Sequence, residues 1–192
     1  MNYTQLVVGK LDRQRCRFPF TRSSHGRPIQ GRRNRGGYQL SARIYLPPNA
    51  DPTKKLPLLV YYHGGGFIVE STFSPLYHKH LNHLVTQANV VAVSVNYRLA
   101  PEFPLPIAFE DSWRALKWIA EGKEEWIKEY ADLKCVYLRG DGAGGNIAHN
   151  IAMRVGESEG FQFGRDVPEL PRLWGVDPIG RETAEEFKKW LD

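Results

Sequence analysis

Two glycine-rich stretches hold the residue types on which chemistry could be built. The first is His63-Gly64-Gly65-Gly66-Phe67, directly after the apolar run at residues 57–62. Consecutive glycines let backbone N–H groups converge on one point and let a substrate approach the main chain, as an oxyanion hole requires. A flexible turn is the plain alternative, but a His-led triple glycine after a buried strand is a more specific pattern. The second stretch is Gly140-Asp141-Gly142-Ala143-Gly144-Gly145-Asn146, between an apolar run at 133–138 and a helical pattern opening at Ala143. Strand, tight turn and helix in this order are the setting of the nucleophile elbow G-x-S-x-G, with small residues around a strained centre. Here the centre is Gly142, so the elbow pattern is present and its nucleophile is not. Gly140, Gly142 and Gly145 also fit the dinucleotide spacing G-x-G-x-x-G. That reading calls for an acidic residue at the end of a following strand, and no such strand is read after Val155.

Other candidate groups have simpler explanations. His78, His80 and His83 lie close together, but on a helix 78 points away from 80 and 83 and no acid sits near them. They read as a solvated, partly packed helix face rather than a metal site, and no metal or cofactor is expected. Arg98 and Glu102 flank a Pro-rich turn and are expected to form a structural ion pair. Trp113, Trp118 and Trp126 read as core or lid packing. Asp141 could be offered as a replacement acid, but a lone carboxylate gives no acyl-enzyme route.

The elements that must position these loops follow from hydrophobic periodicity. Residues 40–46 alternate and read as a strand closed by Pro47 and Pro48. Residues 57–62, 89–96 and 133–138 are short continuous apolar runs, as expected of strands buried on both faces. Between them lie helical patterns: Pro75 onward with Tyr77, Leu81, Leu84 and Ala88 in line, then Pro106 onward with Phe109, Trp113, Leu116 and Ala120. A last helix over 143–155 carries Ile147, Ile151 and Val155. Alternating strands and helices predict an α/β fold, a mostly parallel sheet with helices on both faces.

Composition sets outer bounds. The chain has 192 residues, 42% hydrophobic and 24% charged, which excludes wholesale disorder. Its formal charge of +5 is local: residues 10–35 hold nine Lys and Arg against Asp12 alone, +8, so the remainder sums to −3. This segment shows no helical or strand period and reads as disordered. A nucleic-acid arm is disfavoured because interleaved aromatics are nearly absent, and a transit peptide because the tract starts late and carries Pro and Gly. No apolar run reaches the 18 residues of a spanning helix, so no membrane partner is expected. The start of the chain lacks the apolar core of a secretory signal. Cys16 and Cys135 stand far apart with no C-x-x-C, which leaves a reducing compartment as the default. The organisation expected is a basic segment at 1–39, an α/β core at 40–156 and an altered segment at 157–192.

Four ordered blocks carry a family resemblance: residues 56–67 (LPLLVYYHGGGF), 93–102 (VSVNYRLAPE), 110–113 (EDSW), and the elbow continued through Asn146-Ile147-Ala148-His149. Together they resemble the hormone-sensitive-lipase branch of the α/β hydrolases, and most closely the plant carboxylesterases. The resemblance implies ester hydrolysis by a Ser-His-Asp triad, a plant source with a cytoplasmic location, and small acyl esters or hydrophobic carboxylic acids as ligands. It places the oxyanion hole in the His63-Gly64-Gly65-Gly66 block, with N–H groups of Gly65, Gly66 and Ala143, and puts Gly142 at the serine position. It gives Asp141 a role in supporting the elbow.

Three departures set the expectation for activity. The serine is absent; the family's Asp and His lie far downstream, whereas fifty residues follow Gly142 and their one histidine, His149, matches a non-catalytic position. Residues 159–174 replace an expected buried strand, before a family-like Trp174-Gly175-Val176-Asp177-Pro178-Ile179-Gly180, and no helical cap elements are read at the N-terminus. The tail at 182–191 reads as a short amphipathic helix. A shortened, altered and inactive member is therefore expected. The alternatives are a non-catalytic binder resembling the plant gibberellin receptors, which usually have Ser where this chain has Gly66, or a fragment without independent function.

Overall fold

The apolar run at 57–62 forms all but the first residue of strand β2 (Leu56–Tyr62), and the run after Asn89 becomes β3 (Val91–Asn96). In the computed structural model, which describes residues 40–48 and 50–158, these strands pair in parallel, Leu58 opposite Val91 and Tyr62 opposite Val95. Strand β4 (Ala131–Gly140) lies on the other side of β2, also parallel, with Leu58 opposite Val136 and Tyr62 opposite Gly140. Strand β1 (Ser41–Tyr45) runs antiparallel to β3, so the order among the described residues is β1-β3-β2-β4. The β2–β4 register jumps after Pro57, which lies opposite Asp132, to Leu58 opposite Val136. Proline has no N–H to give to the ladder, and the surplus residues 133–135 are accommodated at that point.

Period-two alternation sends the strand side chains to two faces. Leu58, Val60 and Tyr62 pack with Val93 and Leu138 against helix α2 (Ile107–Ala120) and helix α4 (Ala143–Glu157). Leu59 and Tyr61 face the other way, onto Tyr77, Leu81, Leu84 and Val85 of helix α1 (Pro75–Ala88). Both faces of β2 are thus covered, which is why its sequence reads as one apolar run.

Among the described residues, the strands and helices expected over 40–155 are all present, with shifted edges. Asn89 is not the start of β3 but the left-handed cap of α1 at φ 53°, a conformation Asn tolerates. One helix escapes the periodicity argument: α3 (Glu125–Tyr130) spans six residues, too few to show a stripe. It is held at its start by Glu124, whose carboxylate accepts the N–H groups of Trp126 (2.8 Å) and Ile127 (3.0 Å). The expected Arg98–Glu102 pair is also not what forms. Arg98 forks onto Asp111 instead, Nε to Oδ2 at 2.6 Å and Nη2 to Oδ1 at 2.7 Å, while Glu102 is exposed. A buried carboxylate needs a cation far more than an exposed one does. The readings for the basic segment 1–39, the altered stretch 159–174, the 174–180 block and the tail helix at 182–191 lie outside the described residues.

Candidate functional site

Register alone brings the two glycine stretches together. Tyr62 and Gly140 are partners at the C-terminal ends of adjacent parallel strands, so β2 releases His63 and β4 releases Asp141 side by side. Open α/β sheets bind ligands at this end. Helix α4 then crosses β2 very closely. A Cβ on Gly144 would collide with the carbonyl of Tyr62 and stand 2.6 Å from that of His63, and one on Gly140 would strike the carbonyl of Gly144. Backbone meets backbone here, and only glycine fits.

Gly142 caps α4 with φ 51° and ψ −115°. L-residues adopt this conformation only under strain, and it is the sharp strand-to-helix turn that an elbow needs. The residue is exposed and a Cβ built on it would meet nothing within 4 Å. The turn is closed by the Gly144 N–H donating to the Asp141 carbonyl at 2.8 Å and the Asn146 N–H to that of Gly142 at 3.1 Å.

The triple-glycine loop is pinned at its ends. The Tyr97 hydroxyl donates to the His63 carbonyl at 2.5 Å, the Gly64 N–H donates to the Tyr77 hydroxyl at 2.8 Å, and the Ala100 N–H donates to the Phe67 carbonyl at 2.8 Å. The Gly65 carbonyl accepts from both Ile68 and Val69 at 3.0 Å, which folds the loop back on itself. Gly65 turns at φ 104°, and a Cβ there would run into the Val69 carbonyl. Among the described residues the N–H groups of Gly65, Gly66 and Ala143 make no internal hydrogen bond. Gly66 is exposed and Gly65 half-exposed, so their backbone is open to a ligand.

His63 itself is buried and stacks on Tyr97, ring centroids 4.3 Å apart at 9°. A carbonyl can only accept, so the 2.8 Å contact between Nδ1 and the Gly64 carbonyl places the ring proton on Nδ1. Burial pushes the His63 pKa down and keeps the ring neutral. Its one N–H is therefore committed to holding the loop.

Asp141 lies behind the elbow, its two oxygens accepting from Tyr61 (Oδ1, 3.1 Å) and Tyr77 (Oδ2, 2.8 Å). Both phenols are pushed up in pKa by burial and by this carboxylate, so they remain donors. Neither tyrosine was singled out by motif. The signal that could have found them is the half-buried acid of the elbow, whose shielded oxygens must collect donors from the strand and helix beside it.

The remaining candidates do not join the site. His149 is exposed on α4, about two turns beyond Gly142. The α1 histidines are half-buried on a partly packed helix face, as expected: His78 stacks on Tyr45 and His80 lies against Tyr61. Burial pushes both down to about 4. Among the described residues no three His, Cys, Asp or Glu come together as a metal site, and no helix is long and apolar enough to cross a membrane.

Comparison with known proteins agrees with this geometry. The family described as the alpha/beta hydrolase fold matches residues 59–187. A probable carboxylesterase 2 of Arabidopsis thaliana is 52% identical over 153 residues, 79% of this chain and 49% of that protein. The probable carboxylesterase 4, mitochondrial, of the same plant is 45% identical over 159 residues, 78% of this chain and 42% of that one. A 2-hydroxyisoflavanone dehydratase of Glycyrrhiza echinata is 43% identical over 162 residues, 78% and 49% of the two chains. Among solved structures, a hyperthermophilic esterase from the archaeon Pyrobaculum calidifontis has a TM-score of 0.57 at 31% identity, covering 84% of this chain and 51% of that one. The chain spans about half the length of the curated relatives it matches. With a sheet, a glycine loop and an elbow so matched, the chain belongs to the alpha/beta hydrolase fold family, on the hormone-sensitive-lipase-like branch that includes the plant carboxylesterases.

Proposed function

We propose that this chain carries a carboxylesterase-type site that receives the acyl oxygen of a small ester, or a hydrophobic carboxylic acid, and does not turn esters over. The N–H groups of Gly65, Gly66 and Ala143 form the oxyanion hole, within the block His63, Gly64, Gly65 and Gly66, and Gly142 occupies the nucleophile position. The observation that carries this reading is the elbow conformation at Gly142 without a side chain. In an intact relative a serine hydroxyl there attacks the carbonyl, a histidine takes its proton, and the hole holds the tetrahedral oxygen. Removing the serine alone costs on the order of 10⁶ in turnover in a comparable triad enzyme. What a hole and binding retain is about 10³–10⁴ over water.

The test is hydrolysis of p-nitrophenyl butyrate by the purified chain, with and without a serine-reactive organophosphate. Turnover at or below the residual level, indifferent to the organophosphate, is expected. Rapid turnover abolished by it would overturn the reading. A panel of hydrophobic carboxylic acids in a thermal melt tests the binding half, since saturation a hundredfold above Kd adds about 2.7 kcal/mol. The unpartnered backbone donors favour that half even where hydrolysis is nil. The same reading takes residues 40–156 as the hydrolase core between a basic segment and an altered C-terminal one. It also takes the location as cytoplasmic, which fractionation of the source tissue checks.

A further inference from the structure

Among the described residues, the Tyr77 hydroxyl is the one side-chain atom hydrogen-bonded to both glycine stretches. It accepts the Gly64 N–H at 2.8 Å and donates to Asp141 Oδ2 at 2.8 Å. A phenol has a single proton, so the direction of both bonds is fixed: the proton goes to the carboxylate and the amide gives its own to the oxygen. The fit is close from the other side as well. A Cβ on Gly64 would lie 2.6 Å from Asp141 Oδ2 and 2.9 Å from the Tyr77 oxygen, so the loop can rest on this pair only with glycine at 64. Tyr61 makes a comparable bond to the same carboxylate, at Oδ1, with no contact to the loop in its hydrogen bonding. The ring of Tyr77 is buried, 5.6 Å from His63 and 6.2 Å from Tyr61 between centroids, so its position does not depend on the hydroxyl alone.

We propose that Tyr77 is a positioning residue of the oxyanion site: through Asp141 it fixes the triple-glycine loop against the elbow, and it takes the Gly64 N–H out of the donor set. This rests on the reading above that the two loops hold an acyl oxygen. Two consequences follow. The donors offered by the loop are those of Gly65 and Gly66 and not Gly64. Their distance from Ala143 is set by a helix on the opposite face of the sheet from α4, so α1 controls the aperture of the hole without touching a ligand.

The experiment compares Tyr77→Phe with Tyr61→Phe in the full chain, with butyrate as the probe. Each variant deletes one hydroxyl from Asp141 and keeps its ring, but only Tyr77→Phe frees the loop. Loss of a hydrogen bond to a charged acceptor predicts about a tenfold weaker butyrate affinity for Tyr77→Phe, against less than twofold for Tyr61→Phe, at comparable losses of Tm. Amide exchange read at Ile68 and Val69, whose N–H groups fold the loop back onto the Gly65 carbonyl, is expected to rise about fivefold or more in Tyr77→Phe and to stay unchanged in Tyr61→Phe. Equal effects of the two variants on affinity or on exchange would overturn the proposal. If the wild-type chain binds no butyrate, the ligand reading fails, and the exchange comparison alone decides on Tyr77. Should Tyr77→Phe not fold, Gly64→Ala presses on the same junction and must produce the same loop-confined exchange. Exchange unchanged at Ile68 and Val69 there would equally refute the positioning role.

Discussion

Restoring the side chain of an ordinary elbow, Gly142→Ser, tests whether the backbone at this turn is as described. Two terms set the magnitude. A non-glycine residue held at φ 51°, ψ −115° costs about 1–3 kcal/mol. Against it, replacing glycine restricts the unfolded chain and returns about 0.4–1 kcal/mol. No steric term is added, because a Cβ at this position meets nothing within 4 Å. The net expectation is a loss of about 1–2 kcal/mol, seen as a lower urea midpoint at unchanged slope, or as a fall in Tm of about 2–4 °C per kcal/mol for a chain of this size. A variant as stable as the wild type or more so would show that Gly142 does not hold the strained conformation. A loss above about 4 kcal/mol would show that the space is not open. The serine is also expected to stay unreactive to organophosphates, because a hydroxyl needs an adjacent base. The His63 ring proton is committed to the Gly64 carbonyl, and His149 lies along the exposed side of α4.

Three further outcomes are expected. Gly144→Ala drives a methyl into the Tyr62 carbonyl, where no flexible side chain can yield, and should cost about 3 kcal/mol or more, whereas Gly156→Ala, with open space near the end of the same helix, should gain about 0.5–1 kcal/mol; urea titration of both gives the contrast, and equal effects would refute the close crossing. Arg98→Ala leaves the buried Asp111 carboxylate without its forked partner and should cost about 3–5 kcal/mol, and a chevron-free equilibrium melt showing under 1 kcal/mol would contradict the pairing. His78 and His80, pushed down to about 4 in the fold against an unfolded value of 6.5, bind protons more readily when unfolded, so their contribution to stability is complete above pH 6.5 and is lost as pH falls towards 4; proton uptake on unfolding near pH 5 should include close to two from this pair, and His80→Gln should remove about one.

What was legible in the sequence was whatever depends on local pattern. The run LLVYY in β2 announced burial on both faces because α1 and α4 cover both, and the alternation of strands with helices announced the parallel order. Partner choice was less legible. Arg98 was matched to Glu102, four residues away, because only neighbours are visible in a sequence, while the acid that needs a cation is Asp111 on the next helix. Helix α3 was missed because six residues cannot display a 3.6-residue stripe, although Glu124 supplies its cap. The tyrosines behind Asp141 were read as core, which they are. Their hydroxyls acquire a second role only because β4 brings Asp141 to the end of β2, a fact of register rather than of motif.

The same register explains how the elbow turn forms with glycine at its centre. The serine side chain contributes nothing to the turn: the conformation at Gly142 is imposed by α4 crossing β2 at the Tyr62 and His63 carbonyls, and by the Asp141 and Gly142 carbonyls accepting the first N–H groups of the helix. Glycine at 142 avoids the strain that a serine would carry there, so on the proposed reading the turn is easier to hold without a nucleophile than with one. Backbone donors and nucleophile are therefore separable in this architecture. On the proposed reading a chain can lack the one and keep the other, because the packing of Gly140, Gly144 and Tyr77 holds the loops whether or not a serine stands at the turn.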